Sequence, residues 1–193
     1  MKILKYLLFL IGILLFLFVI IGFIKPTIHY GHEITVDKPL KEAWAVQQDD
    51  ANYKEWLEGF KSIDLISGKQ GEVGSKYKVV VNPGDGQPDF EMTETVVGKK
   101  DYDHITLNFD SDMMLFDQTT SFAEANGKTT IKTDSKVSGK GVAMRSIFAL
   151  MEIFGGSFQA QEVKNIEALK TVIEKNEKNY YPAPILTEEE GEE

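Results

Sequence analysis

Three histidines, a cluster of aspartates and two hydroxyl-rich runs are the residues in this chain that could do chemistry. The histidines are His29, His32 and His104. A regular strand through 28–36 puts His29 and His32 on opposite faces, and His104 begins a distant strand. They do not converge as metal ligands and read as solvent or strand-edge residues. With no cysteine, thiolate metal sites, thiol catalysis and disulfides are excluded. Asp110, Asp112 and Asp117 fall between two strand-like runs. Aspartate favours turns, so a solvated loop is expected there rather than a general acid or base. No Ser-His-Asp spacing and no Gly-x-Ser-x-Gly elbow is present. Gly68-Lys69-Gln70-Gly71 and Gly84-Asp85-Gly86 do not open a helix after a strand, as phosphate loops do. No catalytic residue, metal or cofactor is assigned.

Binding chemistry is better represented. Lys132, Asp134 and Lys136 share the wet face of one strand, which leaves Ile131, Thr133, Ser135 and Val137 opposite. On the preceding strand Met114, Phe116, Gln118, Thr120 and Phe122 share a face. If these faces point inward, hydroxyl and amide groups enter an apolar interior. They must then bond to each other, to water, or to a ligand with an apolar body and a few polar atoms. The helical region beyond adds Met144, Phe148, Met151, Phe154 and Phe158, side chains that suit core packing or an adaptable apolar wall. Trp44 and Trp56 are expected to pack short helices onto the sheet, with a cavity-gate role secondary. The cavity candidates are Trp44, Trp56, Met114, Phe116, Gln118, Thr120, Thr133, Ser135, Met144, Phe148, Met151 and Phe158.

The elements that must position these residues begin with an anchor. Tyr6 to Ile24 carries no charge and, at about 1.5 Å per residue, is long enough to cross a hydrocarbon core of roughly 30 Å as a helix. A cleaved signal peptide is the competing reading. Its apolar core is shorter and ends in small residues, whereas Gly22-Phe23-Ile24-Lys25-Pro26 is a poor cleavage site. Lys2 and Lys5 precede the span and Lys25 follows it, so the excess places the N-terminus in the cytoplasm and the domain outside.

After Pro26, Ile28, Tyr30, Ile34 and Val36 alternate as one strand. Leu40 to about Gln47 reads as a helix, and Asp49 or Asp50 caps a second one to about Leu57. Further strands are expected at 63–67, 76–81, 90–97, 105–109, 114–122 and 129–137, with Asn126-Gly127 the strongest hairpin signal. Beyond Gly141, Met144, Phe148, Met151, Phe158, Ile166, Leu169 and Ile173 predict one long amphipathic helix. Glu152, Glu162 and Glu167 take its polar positions, and Gly155-Gly156 is a potential kink. The organisation is then anchor 1–26, one domain 27–178 and an acidic, disordered tail 179–193. The 193 residues carry a formal charge of −9, much of it in that tail, and no basic stripe; a nucleic-acid surface is not expected.

Four local segments resemble the SRPBCC superfamily, also described as START-like or polyketide-cyclase/lipid-transport proteins. Residues 33–44 are similar to the family's first strand running into its first helix. Asn52-Tyr53-Lys54-Glu55-Trp56 resembles its Asn-x-x-x-Trp segment, and Gly71-Glu72-Val73-Gly74-Ser75 its turn into the sheet. Residues 158–170 resemble its closing helix. Ala43 stands where the family often has Val. The resemblance covers roughly residues 28–176. It implies an α+β helix-grip fold: a curved antiparallel sheet of about six to seven strands around a long C-terminal helix. The family has no universal catalytic motif, so membership implies a cavity and not a reaction. The expected partner is a lipid or other hydrophobic small molecule, held by a membrane-tethered, non-enzymatic domain. A cyclase- or hydrolase-type enzyme, and a protein-interaction module with a filled cavity, are the alternatives.

Overall fold

A computed structural model describes residues 2–82, 84 and 86–182. Most of the predicted acidic tail, residues 183–193, lies outside them. Tyr180 and Tyr181, at the tail's start, are tied to the domain. The Tyr180 hydroxyl donates to Asp49 at 2.8 Å and accepts from Asn52 at 3.2 Å, while the Tyr181 hydroxyl donates to the Lys41 carbonyl.

The chain opens with an apolar helix, α1 (Lys2–Ile24), long and apolar enough to cross a membrane. Eight strands follow: β1 (Ile28–Tyr30), β2 (Glu33–Val36), β3 (Phe60–Ser67), β4 (Lys76–Val81), β5 (Phe90–Lys100), β6 (His104–Asp110), β7 (Met114–Ala125) and β8 (Lys128–Gly139). Between β2 and β3 lie α2 (Leu40–Gln48), a 3-10 turn at Asp50–Asn52, and α3 (Tyr53–Trp56). Two helices, α4 (Gly141–Gly155) and α5 (Ser157–Lys175), close the described fold. All strand pairs are antiparallel, in the order β1-β8-β7-β6-β5-β4-β3, and β2 also pairs with β8.

The strongest hairpin signal marks the longest ladder. β7 and β8 pair from Met114↔Gly139 to Ala125↔Lys128. Asn126 and Gly127 both take positive φ, 55° and 73°, which is what a two-residue turn matching the strands' twist needs. β5 runs three residues beyond its expected end, through a bulge between Val96 and Gly98. The Tyr102 region then makes the turn.

Two expectations are corrected. The segment 28–36 is two strands, not one, so the sheet has eight strands. At Gly31 the chain leaves the ladder: Gln159 of α5 donates to the Gly31 carbonyl at 2.9 Å, and Thr133 N–H donates to the His32 carbonyl. A Cβ at Gly31 would collide with the Thr133 carbonyl oxygen, so only glycine permits this approach. The face assignment of His29 and His32 therefore has no regular strand beneath it.

The C-terminal helix is also two helices, bent by 68°. Gly156 sits in the left-handed region (φ 56°, ψ 33°), a conformation that ends a helix cheaply only at glycine. α5 packs across the sheet's core. Its Ile166, Leu169 and Ile173 are fully buried against Ile34, Val36, Trp44, Phe122 and Ile131. α4 turns away and packs on the last two turns of α1. A Cβ on Gly22 would lie 2.6 Å from the Val142 carbonyl oxygen and closer still to the Ser146 hydroxyl. Gly22 with buried Ser146 and Ala149 makes the small-residue crossing that lets two helix backbones approach. The apolar face expected along one continuous helix is thereby divided. Met151 points to the exterior, 45% exposed, rather than toward the sheet.

Candidate functional site

The inward face of the sheet is buried at one end, the closed end, and only partly buried at the other, the open end. At the closed end Trp44, Val46, Trp56, Ile105, Phe122 and Ile131 are buried. Trp44 lies edge-on to Phe122 at 5.0 Å, and Trp56 edge-on to Tyr53 at 5.7 Å. Both tryptophans hold the short helices to the sheet. Each such aromatic pair adds about 0.5–1.5 kcal/mol beyond its area. At the other end the inward-facing Met92, Leu107, Phe109, Met114, Phe116 and Gln118 are only partly buried. The cause is the bend at Gly156, which carries α4 off this part of the sheet.

A row of five aromatic rings crosses the open end. Phe148 of α4 meets Phe158 of α5 edge-on at 5.2 Å, and Phe158 stacks on Tyr30 of β1 at 5.8 Å. Tyr30 stacks on Phe116 of β7 at 6.2 Å, and Phe116 on Phe109 of β6 at 5.1 Å. Register explains the alignment, since Phe109 pairs with Phe116, Phe116 with Val137, and Val137 with Ile28 next to Tyr30. Burial pushes the Tyr30 phenol up, with the nearby Glu162 and Glu152 carboxylates adding to the shift.

Polar groups sit beside this row. Gln118 Nε2 donates to Ser135 Oγ at 3.1 Å and to Glu162 at 3.1 and 3.3 Å on its two oxygens. Ser135 is fully buried, and Glu162, only 7% exposed, is placed at the interior by α5. Burial raises the Glu162 carboxyl above its ordinary range, while a hydrogen bond from Thr133 and the nearby His32 oppose the rise. Thr133 also serves the strand break, its hydroxyl oxygen accepting from His32 N–H at 3.0 Å.

A second interior carboxyl is Glu94 of β5, 8% exposed and paired across the ladder with Tyr77 and Phe109. Burial alone raises it to about 7. No hydrogen bond offsets that burial among the described residues. Near it, Tyr53 is pushed up first by burial and then by the Glu94 charge. Trp56, which Tyr53 contacts edge-on, keeps its indole Nε1 buried with no partner among the described residues. A buried donor without a partner costs about 1–3 kcal/mol, so the interior has polar capacity to spare.

Of the sequence candidates, Phe116, Gln118, Thr133, Ser135, Phe148 and Phe158 come together at the open end. Thr120 lies deeper, buried and paired with Thr133. Met114 lies at the rim. Met144 packs by Gly139, and Met151 lies outside the cleft. Trp44 and Trp56 belong to the closed end. Sequence reasoning missed Tyr30, Phe109, Glu94 and Glu162. Glu162 was expected on the wet face of its helix; the structure buries it because Glu162, Ile166, Leu169 and Ile173 share one face. The expected wet histidines form surface pairs, His32 with Glu167 at 2.9 Å and His104 with Asp103 at 2.5 Å.

No protein-family model matches the chain, and no curated protein matches it by sequence. Solved structures match by shape. A conserved protein from Geobacillus kaustophilus is 14% identical with a TM-score of 0.60, over 76% of this chain and 95% of that one. Norcoclaurine synthase from Thalictrum flavum is 14% identical with a TM-score of 0.55, over 78% and 95%. A di-domain ARO/CYC protein, StfQ, from the steffimycin biosynthetic pathway is 9% identical with a TM-score of 0.60, over 78% of this chain and 51% of that one. These likenesses show a helix-grip fold.

Proposed function

We propose that this chain is a membrane-tethered binding domain whose half-open interior takes a lipid or another amphipathic small molecule. The half-exposed aromatic row running past Gln118, Ser135 and Glu162 carries the reading. It offers a long apolar wall with hydrogen-bonding groups on one side, the pattern of a site for an apolar body with a polar end. Tethering by α1 suits such a ligand, because apolar molecules partition into the bilayer and a cavity held there meets them at high local concentration. Native mass spectrometry of the detergent-extracted protein tests this. A co-purified lipid or amphiphile supports it, and protein that stays empty after incubation with membrane extract counts against it.

A second reading is an enzyme of the cyclase type. Two interior carboxyls with raised pKa, Glu94 and Glu162, favour it, because such groups mark candidate acids and bases. Two of the solved neighbours are named as a synthase and an ARO/CYC protein. The readings separate on one measurement. If a retained ligand is recovered chemically unchanged from both the native protein and the Glu94→Gln, Glu162→Gln double variant, binding suffices.

A further inference from the structure

α4 is a poor match for a water-exposed helix. Its only charged residues are Arg145 and Glu152, and both are tied down: Arg145 Nε donates to the Gly139 carbonyl, and Glu152 accepts from the Phe158 N–H. Leu150 and Met151 lie three and four residues after Ile147, and four and three before Phe154, so the four form a stripe on one face. Phe154 is 84% exposed. Ile147 and Met151 are also exposed, with Leu150 between them partly buried, whereas the rest of α4 packs on α1, β8, β1 and α5.

The position of α4 says what covers the stripe. On α1, residues 2–17 are exposed, and only Phe18, Ile20, Ile21 and Gly22 are shielded along its last two turns. α4 is seated on those turns. If α1 crosses a bilayer, they lie where the span leaves the hydrocarbon on the domain's side. At 15 residues α4 is about 22 Å long, too short to cross. The polar α5, bent by 68°, does not extend it. An apolar stripe at that depth on a helix of this length fits the in-plane mode of membrane contact. The β6–β7 turn brings exposed Met113 and Leu115 to the same end, where Lys140 N–H donates to the Met113 carbonyl.

We propose that α4 is a second membrane-seated element, lying in the leaflet beside α1 with Ile147, Leu150, Met151 and Phe154 in lipid. The same helix carries Phe148 on another face, the first ring of the aromatic row. The open end of the cleft then faces the hydrocarbon, and an acyl chain passes from leaflet to interior without crossing water. This inference rests on the tethering reading and adds a contact that tethering alone does not require.

The test uses the absence of cysteine, which makes any introduced one unique. Leu10→Cys, Lys132→Cys, Met151→Cys and Phe154→Cys are each labelled with an environment-sensitive fluorophore. They are then reconstituted in vesicles of phosphatidylcholine and phosphatidylglycerol containing nitroxide-bearing phosphatidylcholine. Quenching at Met151 and Phe154 that matches Leu10 and far exceeds Lys132 is the expected result. Quenching at Leu10 alone overturns the proposal while leaving the tether intact. No quenching at Leu10 overturns both. The unmodified protein provides a check free of folding effects: a photoactivatable phosphatidylcholine should label peptides from 141–155 as well as from α1, and label confined to α1 overturns the proposal.

Discussion

At the scale of single residues, Glu94 is the most consequential side chain. Its folded pKa of about 7 lies above the ordinary 4.5, so the folded state holds the proton more tightly than the unfolded chain. Stability attached to this group is therefore complete below pH 4.5 and is lost as pH rises through 7. The shift bounds the loss at roughly 3 kcal/mol. Glu94→Gln should raise the urea midpoint of the detergent-solubilised protein at pH 8 and leave it unchanged at pH 4.5. An equal effect at both pH values would show that the carboxyl is not titrating in the interior. Glu94 was legible in principle, since Phe90, Met92, Glu94 and Val96 alternate onto one face and three of the four are apolar. Glu162 likewise keeps the helical spacing of Ile166, Leu169 and Ile173. For Glu162 the charged residue type was weighed above its position in the pattern, and Glu94 was given no face. Trp56 differs: nothing in the sequence shows that its N–H lacks a partner, because that depends on groups distant in the chain.

At the scale of elements, the glycines decide where helices go. Gly156 has open space around its α-carbon, so Gly156→Ala should cost only the left-handed backbone, about 1 kcal/mol, in a denaturant melt. Gly22 is the opposite case, with ordinary helical geometry and no space. Gly22→Leu should force α4 off α1 and speed hydrogen exchange across 141–155, while 160–173 keeps its protection. Uniform protection in that variant would mean the crossing tolerates bulk. The succession of strands along the chain and the β7–β8 turn were readable because alternation and Asn-Gly are local signals, whereas the pairing of β1 and β2 with β8 was not. The division of the last helix was readable only as a possible kink. Its size, and the partner α4 finds on α1, come from packing between residues 120 or more positions apart.

At the scale of the whole molecule, α1 is part of the domain's surface as well as a candidate span. Removing residues 2–24 would uncover buried Ser146 and Ala149 beside the already bare stripe of α4, giving a contiguous apolar patch of the kind soluble monomers avoid. Such a chain, starting at Lys25, should elute as oligomers in size-exclusion chromatography without detergent. A clean monomer would show that the sheet and α5 stand alone. The fold class and the strand framework were open to sequence reasoning, helped by the family resemblance. The join between apolar helix and domain was not, because each pattern reads as complete by itself.

The sheet's closure has a consequence for how the chain is made. β1 pairs with β8, Ile28 against Val137, so the first strands have no neighbour until almost the whole domain has been synthesised. A contact of such long sequence separation forms late and slowly. By then α1 has long been available for insertion. The β7–β8 hairpin needs only its own turn and is complete within residues 114–139. β3 to β7, each paired with its neighbour in sequence, can form their ladders before β8 emerges, whereas β1 and β2 wait for β8, the strand both of them pair with.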